Sequence, residues 1–295
     1  MHIRKFIAPV VIAFTTLAAH ADPMAYFTNL YQQFGIVNLA TGSYQTIGPG
    51  TPEAGAGLVP GAGGSLLTLT VSGNLDAIDP ATGLQTVVGA TGLGGQANTL
   101  AGLGGILYAT DLANNLYTVN PLTGLASLVG PTGIPVVPAY PFTVNPDGTT
   151  NLFDETLYAS GGKLYTTFDA FRLGTDGTVT PVVTPNLWTI DTTTGAASVI
   201  AATSLQLLAS VEIGGTFYTL HGAFDEENPA GFSQSMTLDL TNGKTSFITN
   251  IDPAAGPIFA LSPVLSPVPS PVPEPSSLAL MGTGILAVAA KLRRR

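Results

Sequence analysis

Asn120-Pro121-Leu122-Thr123-Gly124 is the stretch whose reading decides the fold, because its pattern recurs four more times along the chain. The other copies are Asn38-Leu39-Ala40-Thr41-Gly42, Asp79-Pro80-Ala81-Thr82-Gly83, Asp191-Thr192-Thr193-Thr194-Gly195 and Asp239-Leu240-Thr241-Asn242-Gly243. Three flanking columns fill in all five copies. An amide stands nine residues before the glycine (Gln33, Asn74, Asn115, Asn186, Gln234) and an aliphatic five before it (Val37, Ile78, Val119, Ile190, Leu238). Another aliphatic stands five after it (Ile47, Val88, Val129, Ile200, Ile248).

The asparagine or aspartate four residues before each glycine can accept hydrogen bonds from the turn backbone, and the glycine supplies a positive φ. Each copy therefore reads as a hairpin turn between antiparallel strands. The two aliphatic columns are expected to face each other across the hairpin and into the core. The amide is expected to open the preceding strand and close the turn before it. These columns serve folding, not a site.

The glycines stand 41, 41, 71 and 48 residues apart, and a period near 41 residues is that of a four-stranded propeller blade. Upstream strand material at 64–69, 99–111, 155–168 and 205–221, with Gly104-Gly105, Gly161-Gly162 and Gly214-Gly215 as further turns, gives about four strands per unit. The first unit is short upstream, and Pro257-Ile258-Phe259-Ala260-Leu261 is placed to supply its missing strand and close the ring. Closure would remove the exposed strand edges that invite aggregation. The long interval holds about 30 extra residues, assigned to two loops at 134–151 and 173–185. Loops of that length on a rigid scaffold are where binding resides. Leu116-Tyr117-Thr118-Val119-Asn120 resembles the repeat of bacterial YVTN-like surface propellers, over the turn-flanking strands only. The expected architecture is all-β: a propeller of about five four-stranded blades over residues 22–261.

Composition agrees. Among 295 residues, 35 are glycine and 23 proline, a helix-poor mixture, while 45% are hydrophobic, enough for a core. Only Lys163, Arg172 and Lys244 are basic between Asp22 and Glu274, against all eighteen carboxylates, a formal charge of −15. Such a surface repels nucleic acid. The absence of cysteine excludes disulfides, thiolate catalysis and cysteine-held metals.

Both ends read as addresses. Residues 1–21 form a secretory signal: Arg4 and Lys5, an apolar run over 6–17, and an Ala19-His20-Ala21 exit for signal peptidase. At the other end, 262–272 is a proline-rich spacer with prolines at 263, 267, 269 and 271. Pro273-Glu274-Pro275 follows, then an uncharged apolar stretch over 276–290, then Lys291-Leu292-Arg293-Arg294-Arg295. Basic residues after an apolar helix stay cytoplasmic, which places the preceding domain outside. This tripartite order resembles the PEP-CTERM sorting signal of Gram-negative bacteria. The resemblance implies transient retention at the inner membrane by a transmembrane helix and cleavage near the motif by an exosortase, which would read Glu274. A permanent anchor is the other reading. Fifteen helical residues span only about 22 Å of a hydrocarbon core near 30 Å, so Lys291, Arg293, Arg294 and Arg295 must snorkel or the bilayer must thin.

Catalytic and ligand-holding groups are few. After signal removal the only histidine is His221, with Asp225 near it and no G-x-S-x-G elbow, so a serine triad is not expected. Asn145, Asp147, Asp154 and Glu155 are calcium candidates, as is Asp225-Glu226-Glu227-Asn228, although neither set has EF-hand spacing. No other cofactor is expected. Tyr108, Tyr117, Tyr158, Tyr165 and Trp188 are assigned to core and blade interfaces. Three functions compete: a non-enzymatic surface or matrix protein associated with extracellular polysaccharide, a glycan- or ligand-binding module using the inserted loops, and a secreted lyase or hydrolase. The last would require Asp154, Asp169, Glu212 and Asp225 to gather at one mouth of the ring.

Overall fold

The structure is a computed structural model describing residues 22–264, apart from 52, 54, 95–96, 136–146, 176–177, 204, 206 and 224–230. Residues 1–21, expected to be a secretory signal, and the tail from 265 lie outside these residues. Twenty strands among the described residues form five four-stranded antiparallel sheets. Blade 1 contains β1 (Met24–Asn29), β2 (Phe34–Asn38) and β3 (Tyr44–Thr46). Blade 2 contains β4 (Gly55–Pro60), β5 (Leu66–Thr70), β6 (Asn74–Ile78) and β7 (Gln85–Ala90). Blade 3 contains β8 (Ala97–Leu103), β9 (Ile106–Asp111), β10 (Asn115–Val119) and β11 (Ala126–Pro131). Blade 4 contains β12 (Thr150–Ser160), β13 (Lys163–Leu173), β14 (Val179–Ile190) and β15 (Ala197–Ala202). Blade 5 contains β16 (Leu207–Ile213), β17 (Thr216–Ala223), β18 (Phe232–Leu238) and β19 (Thr245–Asn250). The last strand, β20 (Ile258–Pro263), pairs antiparallel with β1 as the fourth strand of blade 1. The ring is thereby closed by the segment that the sequence offers for it, and the strand runs two residues past Leu261, with Ser262 fully buried.

Each blade is apolar on both faces, so successive residues of an inner strand serve different neighbours. Leu157 packs toward Tyr108 and Leu116 of blade 3, while Tyr158 packs toward Leu207 and Phe217 of blade 5. Five such interblade clusters circle the axis, the last joining Ala209, Val211 and Leu220 of blade 5 to Ala25, Phe27 and Leu261 of blade 1. Strands buried on both sides read as continuous apolar runs, without alternation. Tyr158 stacks on its register partner Tyr165 at 5.8 Å between ring centroids, and Tyr108 and Tyr158 lie in interblade clusters, whereas the half-buried Tyr117 is bonded through its hydroxyl to Asp111.

The recurring turn forms as its residues dictate. The Asn38, Asn120 and Asp191 side-chain oxygens each accept two backbone N–H groups, as with Leu122 and Thr123 at 2.9 and 3.2 Å. Hydrogen bonds hold the carboxyls of Asp79 (from Ala81 N–H) and of Asp191 and Asp239 (from the Thr193 and Thr241 hydroxyls) below the usual carboxylate range. The five glycines have φ between +70° and +83°. They also meet the preceding blade. A Cβ at Gly83, Gly124, Gly195, Gly243 or Gly42 would strike the carbonyl of Ile47, Gly89, Gly130, Ala202 or Asn250 respectively, a cycle of close approaches running once around the ring.

Three expectations are corrected. The aliphatic five before the glycine pairs with the residue two after it, as Ile78 with Gln85 and Val119 with Ala126. The aliphatic five after it falls in a register shift of the outer strand in blades 2 to 5, and the two columns straddle the blade: Ile78 packs on blade 1 and Val88 on blade 3. Second, β4 precedes 64–69. Its Gly- and Pro-rich sequence looks like loop, and a register shift between Ala56 and Val59 lets it hold the inner position. Third, the extra residues of blade 4 are only partly loop. They lengthen β12, β13 and β14 beyond the ring, with Thr150 opposite Leu173 and Arg172 opposite Thr180, because paired strands satisfy backbone groups that a projecting loop would leave to water.

The minus-nine amide closes the preceding turn where the hairpin is short: Asn29 Nδ2 reaches Gln33 at 2.7 Å and Asn115 Nδ2 reaches Asp111 at 3.1 Å. A further column, unnoticed in the sequence, comprises Thr51, Thr91, Thr132, Thr203 and Ile251, all buried. Each donates its backbone N–H to the carbonyl preceding an amide column residue, for example Thr132 to Asn114 at 2.9 Å.

Gly104 has φ +60° with nothing near its missing Cβ, whereas Gly124 has φ +78° and the Gly89 carbonyl against it. Gly104→Ala should therefore cost about 1 kcal/mol, the left-handed backbone penalty alone, and Gly124→Ala at least about 2 kcal/mol, read by urea unfolding. A chain ended at Pro257 leaves the β1 edge open and should lose its single cooperative transition and self-associate on gel filtration.

Candidate functional site

The ring has two different ends. At one, the first and second strands of blades 3, 4 and 5 join through Gly104-Gly105, Gly161-Gly162 and Gly214-Gly215, all at positive φ. At the other lie the hairpins between second and third strands and the links from one blade to the next. The described strand ends that flank 136–146, 174–178 and 224–230 all lie at that second end. The insertions are therefore rooted at one end, and the extended strands of blade 4 project there.

The root of the first insertion is fixed by blade 3. Thr132 Oγ1 donates to the Asn114 carbonyl at 2.7 Å and accepts from the Ile134 N–H at 3.2 Å. Asn114, itself at φ +56°, donates through Nδ2 to the carbonyls of Ile134 at 3.3 Å and Pro135 at 3.0 Å. Ile134 then packs on Phe168 and Ala170 beneath the strand extension, with Val183 and Trp188 beside them.

Between blades 3 and 4 this end holds a polar cluster. The Glu155 carboxylate accepts from Asn98 Nδ2 at 2.6 Å, across the blade boundary, and from Thr166 Oγ1 at 3.4 Å. Burial raises its pKa from 4.5 to about 7, against the opposing hydrogen bonds from Thr110, Asn98 and Thr166. Asp111, next to Thr110 on β9, is saturated: Oδ1 accepts the Ala113 and Asn115 N–H groups at 3.0 and 2.8 Å, and Oδ2 accepts from the Tyr117 hydroxyl at 2.9 Å and from Asn115 Nδ2 at 3.1 Å. A second carboxyl, Asp76 of β6, is also buried and its pKa raised by desolvation. Gln85 Nε2 reaches one of its oxygens at 2.8 Å.

Of the calcium candidates, Asp147 and Glu155 have described side chains, and these two are not brought together. Asn145 lies outside the described residues, and Asp154 is placed by its backbone alone. Asp147 is turned on its own loop, accepting the Thr149 N–H at 3.0 Å and hydroxyl at 2.6 Å, which lower its pKa. Glu155 lies five residues beyond Thr150 along β12, roughly 17 Å at 3.3 Å per residue, and faces blade 3. An extended strand holds the two carboxylates too far apart to share a cation, and no group of three acidic or histidine side chains suited to a metal occurs among the described residues. The second set, 225–228, lies outside the described residues.

Nor do the four carboxylates of the lyase reading gather. Asp154 and Asp169 are register partners at the insertion-bearing end, whereas Glu212 pairs with Phe217 beside the Gly214-Gly215 turn at the opposite end. Asp225 is outside the described residues. His221 pairs with Leu207 and Gln234 inside blade 5. A shallow cavity of about 380 Å³ lies at the glycine-turn end between blades 3 and 4, lined by Leu103, Lys163, Leu164 and Asp191 among others.

The raised pKa of Glu155 sets a sign for stability against pH. The folded state binds this proton more tightly than the unfolded state, so its contribution is complete below about pH 4.5 and is lost as pH rises through 7. Glu155 keeps some exposed surface, and water screening limits the effect to on the order of 2 kcal/mol. Glu155→Gln should therefore narrow the loss of stability between pH 5 and pH 8 by that amount, measured by urea unfolding at both values.

Solved structures with related coordinates are distant. A Bacteroides thetaiotaomicron VPI-5482 structural genomics protein of unknown function aligns over 77% of this chain and 55% of its own, with 13% identity and a TM-score of 0.46. TolB from Acinetobacter baumannii aligns over 82% and 66%, with 11% identity and a TM-score of 0.43. Virginiamycin B lyase from Staphylococcus aureus aligns over 73% and 63%, with 13% identity and a TM-score of 0.34. The chain thus spans between 55% and 66% of the length of these structures. No curated protein matches it. Residues 271–295, by contrast, match the PEP-CTERM protein-sorting motif, and the five-bladed propeller is accordingly an exported protein carrying the signal that exosortase recognises.

Proposed function

We propose that the mature protein is a non-catalytic component of the cell surface or extracellular matrix, released from the inner membrane by exosortase and associated with extracellular polysaccharide. The single observation carrying this reading is the sorting motif at 271–295, downstream of a domain whose five blades are linked by structural turns. The acidic character of the domain favours solubility outside the cell and disfavours nucleic acid as partner. Apart from export by signal peptidase and exosortase, no covalent chemistry is assigned to it.

A second reading, a glycan-binding module, draws its support from the rooting of the insertions at one end. There the amide of Asn98 and the hydroxyls of Thr110 and Thr166 surround a carboxyl that takes up its proton near neutrality. Thr110 and Thr166 are fully buried, so under this reading the glycan would meet the inserted segments and not this cluster.

Mass spectrometry of protein from the native host should show a released chain beginning near Asp22 and lacking Arg295. An intact C-terminus in every fraction would overturn sorting in favour of a permanent anchor. Deletion of 136–146 from the released form should abolish co-sedimentation with the host's extracellular polysaccharide under the binding reading, and should leave it unchanged if the role is structural only.

A further inference from the structure

The tail leaves the ring at one defined place. Pro263, at the end of β20, lies opposite Ala25, and the Val264 N–H donates to the Met24 carbonyl at 3.3 Å. The end of β20 and the start of β1 therefore meet where blades 3, 4 and 5 make their paired-glycine turns. The other end of the mature domain starts there as well, since Leu39 N donates to the Pro23 carbonyl at 2.9 Å and Asn38 Nδ2 to the Asp22 carboxylate at 2.9 Å. Both ends of the domain thus emerge opposite the insertions.

Charge does not separate the two ends, because the third-to-fourth turns, with Asp79, Asp191 and Asp239, lie at the glycine-turn end as well. The four turns between first and second strands, at 61–65, 103–106, 160–163 and 213–216, contain one ionisable side chain, Lys163, in a domain of formal charge −14 over 22–261. Asp191 lines the same cavity as Lys163, and Glu212 stands one position outside the turns. Ile106, in the blade 3 turn, is 46% exposed. The opposite end carries Glu53, Asp147, Asp154 and Asp169 among its described residues.

The tether is short. Eleven residues separate Val264 from Ser276, where the apolar stretch begins, and their greatest reach is about 40 Å. To turn the ring over, the tether would have to cross from the innermost to the outermost strand, about 4.8 Å per strand. It would then have to climb the eleven residues of β12, about 3.3 Å each, a route of more than roughly 45 Å.

We propose that, while the tail is seated in the inner membrane, the ring stands with its glycine-turn end against the lipid surface and its insertion-bearing end directed away. The inference rests on the tail being membrane-seated and goes beyond it, because it names which surface meets lipid and which is left for a partner.

The chain contains no cysteine, so introduced thiols are unique. Ala62→Cys and Ile106→Cys mark the glycine-turn end, and Val71→Cys and Ala113→Cys mark the other, all at exposed positions. Full-length chains carrying a fluorophore at each thiol would be reconstituted into phosphatidylethanolamine–phosphatidylglycerol vesicles containing a headgroup-attached quencher. Flotation would report membrane attachment independently. The expected result is flotation of all four, with quenching at positions 62 and 106 at least twofold stronger than at 71 and 113. Equal or reversed quenching on floating vesicles overturns the orientation and leaves the tail reading standing. Failure to float overturns both. Two positions per end guard against a label that disturbs folding.

Discussion

Every blade buries apolar side chains on both faces, so none can complete its own core. Leu66 needs blade 1 and Leu67 needs blade 3, and the same division runs through Leu100 and Ala101, and through Leu157 and Tyr158. Stability is therefore a property of adjacency around a closed circle, and the circle has to end on the strand where it began. The pairing of β20 with β1 meets that requirement with backbone hydrogen bonds and with Ile258 and Leu261 buried against blade 5.

The turn glycines tie local conformation to this long-range demand. A left-handed residue is needed to reverse the chain after each Asx turn, and the same residue backs onto the outer strand of the preceding blade. One position satisfies two constraints, which explains why it persists through all five copies while the two residues after the asparagine or aspartate vary among proline, leucine, alanine and threonine. Beyond the turn, hydrogen bonds such as Ala126 N–H to the Thr91 carbonyl at 2.9 Å and Ala197 N–H to the Thr132 carbonyl at 2.8 Å stitch the rims of neighbouring blades.

Much of this was legible in the chain. The turns, the blade period, the paired-glycine hairpins and the closing strand all rest on local chemistry that a sequence displays. What escaped was what depends on register or on distant partners. The bulges displaced the aliphatic column by an amount no spacing reveals. The buried threonine column hid because Thr51 stands nine residues after its glycine and the others eight, with Ile251 replacing threonine in the last copy. β4 was masked by its glycine and proline content. The contact of Glu155 with Asn98 joins residues 57 apart in different blades, and no single-strand pattern announces it. Of the candidate site, the location of the inserted segments was readable, whereas their continuation as strands and the carboxyl beneath them were not.

The position of the closing strand also governs timing. β20 ends only 32 residues before Arg295, so during export from the N-terminus four blades can be assembled outside while blade 1 still waits for its innermost member. Maturation of the ring is then nearly simultaneous with arrival of the sorting motif at the membrane. A chain stalled late in translocation would display an unfinished sheet to the periplasm, and chaperones and proteases could distinguish it from a completed passenger by that open seam.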